Sequence, residues 1–315
     1  MTALPLAVNR LVYNHFDHLL YASVPSSQGA NGNSIAVIDP MVPALLRTVY
    51  VGSEPNVLAL SDDGQTIWVG LDGADAVRRF DIATSTAGLQ FSLPLGQQAR
   101  DIAVLAGTDD SIAVSVAATD AEVRVVIFDD GIPRPYAFAQ FASDPRFLAP
   151  SYSPALLYAN EYASISRLFT LCVNASGVFR DDAEYTDLTG HILFAQGILY
   201  AMSVATRWRV DAFDIGTRAN LGGYVNSTSV SSFAPDPATS RVFLLSDINY
   251  PATITAYDQA TFVPVATDSF DVSLPAANLV RWGRYGFAFT AAGPSINMAA
   301  PSLIIARSSN IPPQP

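Results

Sequence analysis

The chain contains no lysine: all 17 of its cationic side chains are arginine. Schiff-base chemistry on a lysine is therefore excluded, and any carboxylate binding or ring stacking falls to arginine. A single cysteine, Cys172, excludes an intrachain disulfide. Three histidines leave little material for a zinc centre, which needs three or four well-placed donors. Charged residues make up only 14% of the 315, and acidic residues outnumber basic ones 28 to 17. The resulting net charge of −11 repels a phosphate backbone, so nucleic acid and anionic membrane are poor partners. No apolar run approaches the roughly 18 residues of a membrane-spanning helix, and Met1–Arg10 lacks the cationic start and long apolar stretch of a signal peptide. There is no Gly-x-Ser-x-Gly elbow, Walker loop, Gly-rich dinucleotide fingerprint or His-Glu-x-x-His, and no metal or cofactor is expected.

What the chain does have is apolar and periodic. Hydrophobic residues reach 50%, too many for a disordered chain. Short apolar segments ending in an acidic residue recur at Ile35–Asp39, Val77–Asp81, Val125–Asp129, Val210–Asp214 and Ile254–Asp258, with Leu168–Asn174 between the third and fourth. Successive spacings run from 40 to 48 residues. A second landmark keeps the same period: an aromatic after aliphatics at Tyr21, Trp68, Tyr158, Tyr200 and Phe243. Within each period the segments read as short strands bounded by turn residues. In the second unit, Asp63-Gly64 and Asp72-Gly73 separate Asn56–Leu60, Thr66–Gly70 and Ala76–Asp81, with a fourth strand near Leu89–Leu95. Asp-Gly between apolar runs is a strong hairpin signal, because glycine accepts the positive φ of a tight turn.

Four antiparallel strands in about 45 residues make one blade of a WD40-like propeller. Seven such units account for the 315 residues, so the expected fold is an all-β, seven-bladed β-propeller over 1–309, followed by a linker-like tail at 310–315. The seventh blade offers only three obvious strands, Leu279–Trp282, Gly286–Thr290 and Ser302–Ala306. Its fourth is assigned to Ala3–Ala7 from the N-terminus, which closes the ring and removes its exposed edges.

Val51–Gly64 and Asn33–Pro40 resemble the repeat of the bacterial YVTN and lactonase-like seven-bladed propellers. The match is close in blades 1 and 2, weaker in 3, 5 and 6, and degenerate in 4 and 7. The resemblance implies the fold and an extracellular or periplasmic setting, often beside further domains. It leaves activity open, because surface and secreted proteins without known chemistry share the repeat with lactone-cleaving enzymes.

Candidate chemistry is sparse. The repeated aspartates are expected to accept backbone N–H bonds in turns. His15 and His18 fall in the first hairpin turn, without further ligands nearby in sequence. Cys172 reads as a buried small hydrophobe between Leu171 and Val173. Asp181, Asp182, Glu184 and Asp187 form an outer acidic cluster, expected to be solvated. Asn174 and Asn226 sit in N-x-Ser/Thr patterns. Aligning the blades places Asn9, Asn56, Asp101, Arg146, His191, Ser231 and Asn278 just before the seven innermost strands, around one mouth of the channel, with Arg10 and Arg100 flanking them. These seven are the ligand-binding candidates. The first functional reading is a non-catalytic binding or scaffold module that uses one face for a protein or small polar ligand, with neighbouring domains or self-assembly possible. A second is a lactonase-like hydrolase using His191, Arg146 and Asp101. A third is a structural subunit of a surface layer or filament.

Overall fold

The computed structural model describes residues 1–94, 96–118, 124–139, 145–161, 167–186, 190–203, 208–246, 250–284, 286–293 and 300–308; within these, the side chains at 118, 145, 146, 161 and 182–186 lie outside the description. After an initial β1 (Thr2–Leu4), the strands follow in fours. Blade 1 holds β2 (Arg10–Asn14), β3 (Leu19–Val24), β4 (Ser34–Asp39) and β5 (Ala44–Tyr50). Blade 2 holds β6 (Pro55–Leu60), β7 (Thr66–Leu71), β8 (Ala76–Asp81) and β9 (Thr86–Ser92). Blade 3 holds β10 (Gln97–Val104), β11 (Ser111–Ala118), β12 (Arg124–Asp129) and the two-residue β13 (Ile132–Pro133). Blade 4 holds β14 (Pro145–Pro150), β15 (Leu156–Glu161), β16 (Arg167–Asn174) and β17 (Gly177–Thr186). Blade 5 holds β18 (Ile192–Ala195), β19 (Ile198–Ser203), β20 (Arg209–Asp214) and β21 (Asn220–Val225). Blade 6 holds β22 (Val230–Asp236), β23 (Arg241–Ser246), β24 (Ala252–Asp258) and β25 (Pro264–Phe270). Blade 7 holds β26 (Ser273–Trp282), β27 (Gly286–Gly293) and β28 (Ser302–Arg307).

The seven sheets are antiparallel and four-stranded, and β1 completes the seventh by pairing Thr2, Ala3 and Leu4 with Ile305, Ile304 and Leu303. The N-terminal closure expected from sequence is present, but its strand begins earlier and ends before Pro5. A proline has no N–H to give the ladder, and past it the chain turns inward and buries Leu6. Among the described residues, helix is confined to 3-10 turns at Ser26–Asn31 and Pro237–Thr239, and no helix is long and apolar enough to cross a membrane.

The core is distributed. Each of the seven apolar clusters is shared by two adjacent blades. The landmark aromatics supply their bulk: Tyr21 packs with blade 2, Trp68 with blade 3, Tyr158 with blade 5 and Tyr200 with blade 6. An aromatic in the second strand of a four-stranded blade is the widest wedge available to fill the gap between twisted sheets.

The recurring acidic residues serve the turns, except Asp129, which instead accepts from Ser111 Oγ at 2.6 Å and pairs with Arg134 at 2.8 Å. Asp81 accepts from Thr84 N–H at 2.7 Å, Asp214 from Thr217 N–H at 2.7 Å and Asp258 from Thr261 N–H at 3.0 Å, each also bonding the threonine hydroxyl. Asp39 accepts from Met41 N–H and Asn174 from Ser176 N–H in the same way. Hydrogen bonds to Thr84, Thr217 and Thr261 hold the three carboxyls below their ordinary range.

Candidate functional site

The seven candidates surround one end of the channel, but at two depths. The second-strand residue after each landmark pairs Ala22 with Leu11, Val69 with Leu58, Ala159 with Leu148, Ala201 with Ile192 and Leu244 with Phe233, and Val114 pairs with Ile102 at the equivalent place in blade 3. One residue nearer the mouth, the same level carries Arg10, Val57, Asp101, Phe147, His191 and Ser232. Asn278 shares this inner level, because Val280 pairs with Ala288 as Ala234 does with Phe243, while Asn9, Asn56, Arg146 and Ser231 sit one residue further out. The sequence alignment had merged the two levels and had put Arg10 and Arg100 at the margin. The reason is a recurrent slip of register: between Pro55 and Leu58, Ala99 and Asp101, Pro145 and Phe147, Val230 and Ser232, and Ala277 and Val280. Asn56, Arg146, Ser231 and Asn278 therefore lie inside their strands, at bulges, rather than before them. A bulge twists the strand and re-aims the side chain it carries, and nothing in residue spacing announces it. Asn9 and His191 do immediately precede β2 and β18.

The amide and hydroxyl side chains of this rim bond to the ring itself. Asn278 Nδ2 donates to Asn9 O at 3.1 Å, Asn9 Nδ2 to Pro55 O at 2.9 Å and Asn56 Nδ2 to Asp72 Oδ2 at 2.9 Å. The first two bonds run from blade 7 through blade 1 to blade 2, and the third closes within blade 2. Ser231 donates to Leu245 O at 3.3 Å across its own sheet. The carboxamides the sequence offered as ligand donors thus already have partners in the ring. The side chain of Arg146 lies outside the described residues.

The inner level gathers charge from alternate blades. Arg10 Nη2 lies 3.2 Å from Asp101 Oδ1, with the Arg10 side chain 24% exposed and that of Asp101 5%. Asp101 Oδ2 accepts the Leu148 N–H at 2.9 Å, tying blade 3 to blade 4. Burial raises the Asp101 pKa, and the charge of Arg10 opposes the rise. His191 of blade 5 is edge-on to Phe147 at 4.8 Å and Phe233 at 5.8 Å between centroids. Its Nδ1 is buried without a partner, although the residue as a whole keeps some exposure. Burial, and secondarily the charge of Arg10, lower the His191 pKa to about 3. The sequence names Arg146 as the neighbouring cation, and its side chain lies outside the described residues; among those described, the charge of Arg10 acts on both His191 and Asp101.

The remaining features separate cleanly. His15 and His18 are exposed in the β2–β3 turn, where Tyr13 Oη and His18 Nδ1 lie 3.3 Å apart. Cys172 is exposed, not buried as its neighbours suggested, because its position on β16 turns it away from the inter-blade layers that take Leu171 and Val173. Partial burial of the thiol and the nearby Asp181 raise its pKa, so it is a poor nucleophile. In the acidic cluster, Asp181 pairs with Arg218 at 2.8 Å; the side chains of Asp182 and Glu184, and Asp187 entirely, lie outside the described residues. No three metal-ligating residues come together among the described residues. At the far end of β10, Arg79, Asp109, Asp110 and Asp130 line a cleft of about 380 Å³, with Arg79 and Asp130 3.8 Å apart.

No family model matches the chain, and no curated protein matches it by sequence. Solved structures do resemble it along its length. The β-propeller domain of Cps50 (Swd1) from Myceliophteria thermophila superposes with a TM-score of 0.72 at 10% identity, covering 96% of this chain and 97% of that one. Hydrazine synthase of Kuenenia stuttgartiensis gives 0.68 at 13% identity, covering 98% and 97%. At such identities the likeness carries architecture alone, and with the seven paired sheets it establishes the chain as a seven-bladed β-propeller.

Proposed function

We propose that this propeller is a non-catalytic binding module of an extracytoplasmic protein, presenting the channel mouth and the face around it to its partner. The observation that carries the reading is the state of the mouth. A general base works best with a pKa near the operating pH, whereas burial holds His191 near 3, well below the ordinary 6.5. Asp101 is fixed by Arg10 and the Leu148 N–H and cannot orient the imidazole as a hydrolase would require. Asn278 and Asn9 are committed to joining blades and Asn56 to Asp72 within blade 2. What is left is a rigid, closed ring, the kind of scaffold on which recognition surfaces are built. The YVTN-like segments in blades 1 and 2 support the extracytoplasmic setting, and the same repeat keeps a lactonase as the competing reading.

A panel of aliphatic and aromatic lactones tests the reading directly. The expected result is no turnover above the buffer rate between pH 6 and 9. Turnover that falls about a hundredfold or more in His191→Ala, the scale of a lost general base, overturns it. Cell fractionation of the native source tests the location: recovery in the cytosol alone overturns that part.

A further inference from the structure

We propose that the channel mouth holds the carboxylate group of a small organic acid, gripped by Arg10 and His191 beside the ring of Phe147. This deepens the binding-module reading and rests on it. Among the described residues Arg10 makes one side-chain hydrogen bond, from Nη2 to Asp101. Nε and Nη1 keep their donor capacity, and the side chain retains 24% exposure at the mouth. A guanidinium offers donors in a planar fork that matches a carboxylate, so anchoring one arm to Asp101 leaves the other pre-set for a ligand. Among the described residues His191 has no side-chain hydrogen-bond partner, and its buried unpartnered atom is Nδ1. The tautomer protonated at Nε2 leaves only a lone pair unsatisfied at the buried nitrogen and points the N–H at the partly exposed side of the ring. Arg10 and His191 thus present donors and no acceptor.

The anchoring carboxylate is not available to a cation. Asp101 has one oxygen on Arg10 and the other on the Leu148 N–H, and its side chain is 5% exposed. A dianion such as phosphate suits the mouth poorly, since one guanidinium beside a neutral imidazole must hold it inside a protein of net charge −11. Phe147, half-buried and 4.8 Å from the imidazole, supplies an apolar wall for the organic part of the acid. The three groups come from blades 1, 4 and 5, so only the closed ring assembles them.

Proton NMR of the full chain reads the site through the His191 ring, with benzoate, benzamide and inorganic phosphate as probes. Benzoate is expected to shift the His191 resonances saturably, binding about tenfold or more tightly than benzamide or phosphate, while His15 and His18 stay unmoved. Arg10→Gln should weaken benzoate about tenfold, with Arg10→Lys in between. The benzoate–benzamide comparison needs no variant and stands if Arg10→Gln fails to fold. Equal binding of benzamide or phosphate, an unmoved His191, or undiminished binding by folded Arg10→Gln overturns the proposal. A protein that ignores benzoate and hydrolyses no lactone loses this site but keeps the non-catalytic reading. Lactone turnover through His191 removes that reading instead.

Discussion

Arg10 and Asp101 meet at 3.2 Å although blade 2 separates their sheets, so the ion pair acts as a chord across the channel mouth rather than a stitch between neighbours. Removing the arginine strands a buried carboxylate. Arg10→Ala should destabilise the protein by about 1–3 kcal/mol at pH 7, less than a fully buried pair because Arg10 is partly solvated. Burial raises the Asp101 pKa, so the ionised form costs stability above its folded pKa and the cost fades as pH falls through it. The deficit should therefore shrink on acidification, and the Arg10→Gln/Asp101→Asn double variant should recover most of it. Urea unfolding at pH 7 and pH 5 checks this; an Arg10→Ala deficit unchanged between the two removes the explanation.

His191 sets a second pH dependence. Its folded pKa of about 3 lies below the ordinary 6.5, so between these values the unfolded chain binds the proton that the folded one refuses. Stability should fall as pH drops below about 6.5, with a slope of at most roughly 1.4 kcal/mol per pH unit from this residue. Subtracting the profile of His191→Phe from that of the native chain isolates the contribution, since His15 and His18 remain in both. A flat difference between pH 7 and pH 4 would show that the imidazole is protonated in the fold.

The ring closure predicts a strong effect from a short deletion. Removing residues 1–6 takes away β1 and the buried Leu6, which packs between blades 7 and 1. The loss of one core leucine costs about 2–5 kcal/mol, and the freed edge of β28 becomes a template for pairing with other chains. Calorimetry and size-exclusion chromatography should show a lower melting temperature and concentration-dependent association. An unchanged monomer would contradict the closure.

Trp68 tests the inter-blade layer. It is fully buried, and its Nε1 donates to Asp109 O of blade 3 at 2.9 Å. Trp68→Ala should cost about 3–5 kcal/mol, and Trp68→Phe, which keeps most of the packing but orphans a carbonyl, about 1–2 kcal/mol. Equilibrium unfolding in urea gives both values; equal losses would mean that the hydrogen bond, not the packing, dominates.

The architecture was legible because it is repeated. Asp81, Asp214 and Asp258 recur for a local reason, a turn that needs an acceptor two or three residues upstream of its N–H groups, and Tyr21, Trp68, Tyr158 and Tyr200 recur because every inter-blade gap has the same shape. Period, strand count and N-terminal closure follow from such local requirements, which residue order records directly. The depth of the site was not legible. Arg10 and Asp101 are 91 residues apart, and their meeting depends on ring closure and on bulges at Arg100 and its counterparts, which change which residue points into the channel without changing composition. Cys172 fails in the same way, its flanking residues being apolar while its own direction is set by the pairing of β16. Local sequence determined the blades; only the assembled ring, by bringing alternate blades together around one axis, decided that Arg10, Asp101 and His191 share an environment and that Asn9 and Asn278 beside them join its blades.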